Sequence, residues 1–171
     1  MIPTLGNLAL YLTLVFSITQ FFSSKNNKNK KLLVISVIGL LISSLISFFL
    51  LMYLYIVSDF SVLNVFQNSH TTKPLLYKIS AVWGNHEGSM LLWILVLTLF
   101  NYFIFKLLNK EISFFILKTL QTQSFIIIGF ILFTILTSNP FERIFPTQDN
   151  GLGFNPILQD PALAIHPPLL Y

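Results

Sequence analysis

The residue best suited to chemistry in this chain is His166, which is followed directly by Pro167 and Pro168. A neutral imidazole is a common ligand for metals, including haem iron. Because a proline disfavours α-helical backbone in the residue before it, we expect His166 to be extended and restricted in orientation. A new apolar helix is then expected to begin at the proline pair. A single histidine is, however, more often a hydrogen-bonded surface residue than a ligand.

A second group of polar side chains lies in the segment WGNHEGSM at residues 83–90, which opens an apolar stretch. Ser89 is predicted to cap the helix that follows, and Glu87 would lie near its positive end. Trp83 suits a membrane–water boundary. Polar groups such as His86 and Glu87 at that boundary can mark function. The alternative is a capped helix start with an aromatic anchor.

Other familiar chemistries find no support in the sequence. It contains no glycine-rich phosphate loop, no HExxH motif, no nucleophile elbow and no paired histidines at metal-ligand spacing. It contains no cysteine, so the chain forms neither a disulfide nor a thiolate metal site. Hydrolases and nucleotide-driven pumps are therefore unsupported.

The composition is that of an integral membrane protein. Of the 171 residues, 54% are hydrophobic and 9% are charged, whereas soluble domains carry about 25% charged residues. The mean hydropathy is +0.76. The length suits a single membrane domain covering residues 1–171.

Four uncharged apolar runs predict four transmembrane helices, since about 20 helical residues cross a hydrocarbon core of about 30 Å. The predicted spans are residues 3–22, 32–57, 89–105 and 119–138. The third run has 17 residues and is marginal in length. An ion channel or transporter is weakly supported, because no charged residue lies well inside the runs.

The lysines predict the orientation of these spans. One cluster lies between the first two runs and another between the last two; they comprise Lys25, Lys28, Lys30, Lys31, Lys106, Lys110 and Lys118. In so apolar a chain these clusters indicate the cytoplasmic or matrix side rather than nucleic-acid binding. Residues 58–88 and 139–171, together with the N-terminus, are therefore predicted to be external.

Prolines organise the last external segment. Asn155 before Pro156 and Asp160 before Pro161 each resemble a helix cap followed by a proline in the first turn. Two short interfacial helices, at residues 156–159 and 161–165, are therefore predicted to precede His166. The predicted fold class is all-α integral membrane, with four transmembrane helices and an external interfacial segment leading into a truncated fifth helix.

Three sequence blocks together resemble one known family. They are WGNHEGSMLLW (83–93), NPFERIFP (139–146) and LGFNPILQDPALAIHPPLLY (152–171). Their types and order are similar to the N-terminal part of the CcmF/NrfE family, the large haem-lyase subunit of cytochrome c maturation. The resemblance implies a subunit that binds haem at the outer membrane face and positions it for covalent ligation to apocytochrome c.

The resemblance also implies the site and the partners. His166 would be an axial ligand of the iron of a transient, substrate-like haem, with Trp83, His86, Glu87, Pro167 and Pro168 in support. The family's Trp-rich haem platform and its other histidine ligands lie further along in family members. We therefore expect a fragment or split subunit without a complete active site, acting as part of a haem lyase complex.

The expected partners are other haem-lyase and maturation subunits, including a chain with the Trp-rich platform, a haem-delivery chaperone, apocytochrome c and the lipid bilayer. No nucleic acid is expected. The expected location is the mitochondrial inner membrane, with the N-terminus and last segment in the intermembrane space; the bacterial inner membrane is the alternative. The alternative function is a structural subunit of a respiratory or transport complex without haem contact.

Overall fold

The computed structural model describes residues 1–25, 29–108, 113–153 and 160–170, without the side chains at positions 108, 163, 167 and 170. Within this part of the chain the regular elements are helices, whose bounds are α1 (Ile2–Ser23), α2 (Lys30–Val57), α3 (Leu63–Asn68), α4 (Leu75–Ala81), α5 (His86–Leu108), α6 (Phe114–Thr137) and α7 (Pro161–Leu170). Lys28, Lys110 and the helix predicted at residues 156–159 lie outside the described residues.

Four of these helices, α1, α2, α5 and α6, are long and apolar enough to cross a membrane. The four predicted spans are confirmed, but α5 has 23 residues where the third run had 17. The added turns include Glu87 and Lys106 at opposite ends of the helix. Charged side chains at the ends of a transmembrane helix can reach the membrane–water interface. A charged residue therefore ends the apolar run in the sequence, although the helix continues through it.

The four spans form a bundle in which α1 packs against α2 and α6, and α5 packs against α2 and α6. Small hydroxyl residues line the interior: the Thr13 hydroxyl donates to Ser43 over 3.0 Å, and the hydroxyls of Ser44 and Thr98 lie 2.7 Å apart. Membrane helices gain little from hydrophobic burial against one another, so small and hydrogen-bonding residues mediate their contact. These contacts hold α2 against both α1 and α5.

The segment between α2 and α5 and the segment after α6 gather at one end of the bundle, here called the loop-rich end (residues 58–85, 138–153 and 160–170). Val62 and Arg143 form an isolated antiparallel bridge there. The Asn139 side chain donates to Asn7 near the start of α1 over 3.3 Å. Phe141 is buried, and its ring occupies the space that a side chain at Gly6 would need. The N-terminus and the two longer segments therefore share one end, as predicted.

The predicted extended conformation of His166 is wrong. Helix α7 begins at Pro161 and continues through His166 to Leu170, so no new helix starts at the proline pair. The restriction that a proline imposes on the residue before it is a preference, which a helix stabilised by other contacts can overcome. Those contacts lie at Asp160 and Ala164.

Candidate functional site

The first turn of α7 is fixed by Asp160 in the way that the sequence predicts. The backbone N–H of Ala162 donates to the Asp160 side chain over 2.8 Å, and Pro161 occupies the first helical position. A proline is suited to that position because its missing N–H would have no partner within the helix. The start of the helix that carries His166 is therefore specified by a local pair of residues.

The middle of α7 is attached to the rest of the molecule through Trp83. The indole Nε1–H of Trp83 donates to the backbone carbonyl of Ala164 over 2.7 Å. In an α-helix this carbonyl would normally accept from the N–H four residues later, but that residue is Pro168, which has none. The indole thus satisfies a carbonyl that the proline leaves open.

The two faces of α7 differ in exposure around this contact. Ala164 is 4% exposed, whereas Ile165 is 54% exposed and His166 is also exposed. Helix α7 packs against α4, so the Ala164 side faces the protein and the His166 imidazole faces outward. Pro168 is half-buried, and the side chain of Pro167 lies outside the described residues. The imidazole is exposed at the loop-rich end.

Helix α5 is capped by Asn85 rather than by Ser89, which corrects the prediction. The N–H of Gly88 donates to the Asn85 side-chain oxygen over 2.8 Å, while the Ser89 hydroxyl donates to the His86 carbonyl over 3.0 Å. Ser89 therefore lies inside the first turn. The signal in the sequence was Asn85 itself, because asparagine is among the preferred N-cap residues.

A buried tyrosine connects this cap to the outer helix α3. The Tyr55 hydroxyl donates to the Asn64 side-chain oxygen over 2.6 Å and accepts from the Asn85 amide over 3.0 Å. The Asn68 amide also donates to the Asn64 side-chain oxygen, over 3.1 Å. The Asn64 amide nitrogen is buried without a partner, so the network is satisfied at its oxygen atoms and at the Tyr55 hydroxyl rather than throughout. The segment that begins with Trp83 is thereby joined to the ends of α2 and α3.

His86 and Glu87 are placed apart from the Trp83 contact. The exposed His86 ring meets Phe133 of α6 edge-on, with ring centroids 6.0 Å apart, and Glu87 lies in the first turn of α5. Trp83, by contrast, contacts α7. The structure thus joins Trp83 to the His166 helix and leaves His86 on the neighbouring α5–α6 surface.

Few positive charges occupy the described loop-rich end. Arg143 stacks on the Phe145 ring with 4.9 Å between the guanidinium carbon and the ring centroid, and Lys78 donates to the Ser58 hydroxyl over 2.7 Å. Burial lowers the pKa of Lys73 to about 8. Among the described residues no three His, Asp or Glu side chains form a group that could hold a metal ion.

The comparisons with known proteins find related sequences and a solved structure of similar fold. The family model described as "Cytochrome C assembly protein" matches residues 83–171, from Trp83 through the whole of α7. The CycK biogenesis protein of Rhizobium meliloti is 50% identical over 125 residues, covering 73% of this chain and 18% of that protein. The CcmF proteins of Haemophilus influenzae and Escherichia coli match all of this chain at 42% and 34% identity, over 28% of their own length.

A solved structure of "Cytochrome c Heme Lyase CcmF" matches the whole chain with a TM-score of 0.80 and 24% sequence identity, and the match covers 28% of that protein. At this identity the likeness supports the fold alone. The chain thus spans less than a third of the length of these relatives. The family match, the identities and the helical architecture together show that this multi-pass membrane chain belongs to the CcmF/NrfE family of cytochrome c assembly proteins.

Proposed function

We propose that this chain is a subunit of the cytochrome c haem-attachment machinery. We propose further that His166 is an axial ligand of the haem that is delivered to the external face of the membrane. The haem is a transient substrate in this proposal. The observation that carries it is an exposed imidazole on a short helix whose start and middle are both fastened, at Asp160 and Ala164.

The geometry favours binding because it limits what must be ordered when haem arrives. A ligand held in its bound orientation loses less conformational entropy than one on a free loop. Asp160 fixes the first turn of α7, and the Trp83 indole fixes the Ala164 carbonyl two residues before His166. The His166 side chain can still rotate about its own bonds, but these two contacts restrict rotation of α7 about its axis.

In the proposed reaction the role of this chain is to position the haem. Each thiol of a Cys-x-x-Cys-His segment in apocytochrome c adds across one haem vinyl group, so that a carbon–sulfur bond forms and the thiol proton passes to the vinyl carbon. His166 would hold the iron on one side and leave the vinyl edge free. Orientation of this kind can lower a barrier without an acid or base in the scaffold. The sequence contains no cysteine that could compete for the vinyl groups.

The remaining parts of the site would come from outside this chain. We propose that a Trp-rich haem platform with a second histidine, other maturation subunits and a haem-delivery chaperone complete the machinery. The relatives are bacterial, which supports a bacterial inner membrane as the location; the mitochondrial inner membrane stays a prediction. The lipid bilayer surrounds the four spans.

The test compares two histidine variants in the assembled machinery. His166→Ala is expected to lower haem occupancy at the outer site and the yield of cytochrome c by about tenfold or more, since an iron ligand is lost. His70→Ala is the matched control, because His70 also lies at the loop-rich end but bonds locally to the Thr72 hydroxyl at 2.8 Å. Normal haem absorbance and normal yield with His166→Ala would favour a structural subunit without haem contact.

A further inference from the structure

We infer that Trp83 is a positioning residue for His166 and that Pro168 keeps the Ala164 carbonyl open so that the Trp83 indole can bind it. The inference deepens the proposed function and rests on it, because the positioning has a purpose only if His166 binds haem iron. It assigns a joint role to two sequence blocks through Trp83 and Ala164, which are 81 residues apart.

The first step concerns the hydrogen bonds of α7. Proline at position 168 removes the N–H that would close the helical bond to the Ala164 carbonyl. A buried carbonyl without a donor destabilises the folded state. Ala164 is 4% exposed, so water has little access to that residue, and the Trp83 indole donates to its carbonyl over 2.7 Å. The proline and the tryptophan are therefore complementary.

The second step concerns the direction of the His166 side chain. Successive helical residues are about 100° apart around the axis and rise about 1.5 Å each. His166 is two residues beyond Ala164, so its side chain leaves the opposite side of α7 from the side attached to Trp83. Rotation of α7 by one residue would direct a different side chain toward the ligand. The bond at Ala164 and the cap at Asp160 both oppose that rotation.

The third step concerns the support of Trp83 itself. Its backbone N–H donates to the Ser80 carbonyl over 3.2 Å, and the next residue, Gly84, donates to the same carbonyl over 2.9 Å. Asn85 then bonds to the Tyr55 hydroxyl at the end of α2 over 3.0 Å. The indole is thus carried by a turn that is fixed to the bundle, which allows it to transmit position to α7.

A tryptophan that served only as an interfacial anchor would predict a different outcome on mutation. Trp93 offers the comparison, because it packs on Phe130 of α6, with ring centroids 5.0 Å apart, within the same sequence block. Trp83→Phe and Trp93→Phe both keep an aromatic ring at the boundary. Only the first removes the indole that donates to the Ala164 carbonyl.

The experiment measures thermal stability, haem occupancy and the electron paramagnetic resonance spectrum of the outer haem in the assembled machinery. Trp83→Phe is expected to lower stability and to lower haem occupancy about tenfold with altered g values, as loss of a ligand-orienting contact does elsewhere. Trp93→Phe should retain the unaltered haem spectrum. Pro168→Ala should change the haem spectrum in the same direction as Trp83→Phe, because its new N–H competes for the carbonyl.

The double variant Trp83→Phe/Pro168→Ala separates positioning from stability. Its new N–H at residue 168 satisfies the carbonyl that Trp83→Phe leaves open, so stability should return while the haem spectrum stays altered. The inference would be overturned if stability and the haem spectrum recovered together in the double variant, or if the spectrum of Trp83→Phe were unaltered. The proposed function would still stand in either case if His166→Ala lost haem. Normal haem in His166→Ala would overturn both.

Discussion

Gly88 lies where the first turn of α5 passes closest to the turn before it. A side chain at this position would collide with the Val82 carbonyl, a backbone group that cannot move aside as a side chain can. Gly88→Ala is therefore expected to destabilise the protein by about 1–3 kcal/mol, the usual range for overpacking. The midpoint of thermal unfolding in lipid nanodiscs measures the effect.

The matched control for this substitution is Gly129→Ala in α6. A methyl group there meets no atom within 4 Å outside its own helix backbone, so no clash is expected. Alanine also favours helix over glycine by about 1 kcal/mol. We therefore expect Gly129→Ala to leave stability unchanged or slightly higher. Equal stability of the two variants would show that the Val82 carbonyl does not exclude a side chain at position 88.

Lys73 offers a pH-dependent test at the loop-rich end. Burial lowers its pKa from 10.5 to about 8 in the folded chain, so the unfolded chain binds more protons between these values. Stability should then increase as the pH rises from about 8 toward 10.5, because folding no longer has to bury a charge. Below about pH 8 both states carry the proton, so this contribution to stability no longer changes with pH.

The measurement for Lys73 is acetylation of the folded and the denatured protein as a function of pH, with the modified peptide quantified by mass spectrometry. The folded chain should show a midpoint near 8, as its lowered pKa requires. The denatured chain provides the reference for the same amine without burial. Coincident profiles for the two states would contradict the lowered pKa.

At the scale of elements, an amide pair joins three spans in the interior of the helix bundle. The side chains of Gln20 and Asn101 are fully buried and donate to each other over 2.8 and 2.9 Å, and Gln20 also reaches the Leu120 carbonyl at 3.4 Å. Gln20→Leu or Asn101→Leu leaves one amide without its partner, so each is expected to cost about 1–3 kcal/mol.

The double variant Gln20→Leu/Asn101→Leu removes both amides and should be more stable than the sum of the single effects predicts. Coupling energies for such pairs in membranes average about 0.6 kcal/mol. A double-mutant cycle on thermal unfolding in nanodiscs gives this value. Additive effects would mean that the two amides do not stabilise the α1–α5 contact through their mutual bonds.

The sequence predicted the spans well and the contacts between them poorly, for physical reasons. Bilayer thickness constrains each span within its own residues, so Leu32 to Val57 could be recognised from apolarity alone. The bond between Trp83 and Ala164 depends on residues far apart in the chain, and the burial of Phe141 against Gly6 depends on how the segments return to the bundle. The helical state of His166 was missed because the local proline preference gave way to those distant contacts.

At the scale of the whole molecule, one asymmetry connects the architecture with the proposed function. The loop-rich end holds Trp83, α7 and the outer helices α3 and α4, while the described lysines Lys25, Lys30, Lys31 and Lys106 lie at the opposite end of the spans. Positive residues favour the cytoplasmic or matrix side. His166 should then face the compartment in which apocytochrome c receives haem.

The absence of native cysteine makes this orientation directly testable, because a single introduced thiol is labelled without background. Gln67, which is exposed on α3 at the loop-rich end, is the first position for a cysteine. Asn29→Cys lies exposed at the opposite end, where the Asn29 side chain makes no capping bond. In intact cells with a permeabilised outer membrane, an impermeant maleimide should label Gln67→Cys at once and Asn29→Cys only after the inner membrane is opened. The reverse pattern would place His166 on the cytoplasmic side, away from external apocytochrome c. It would contradict the proposed function even if His166 bound haem.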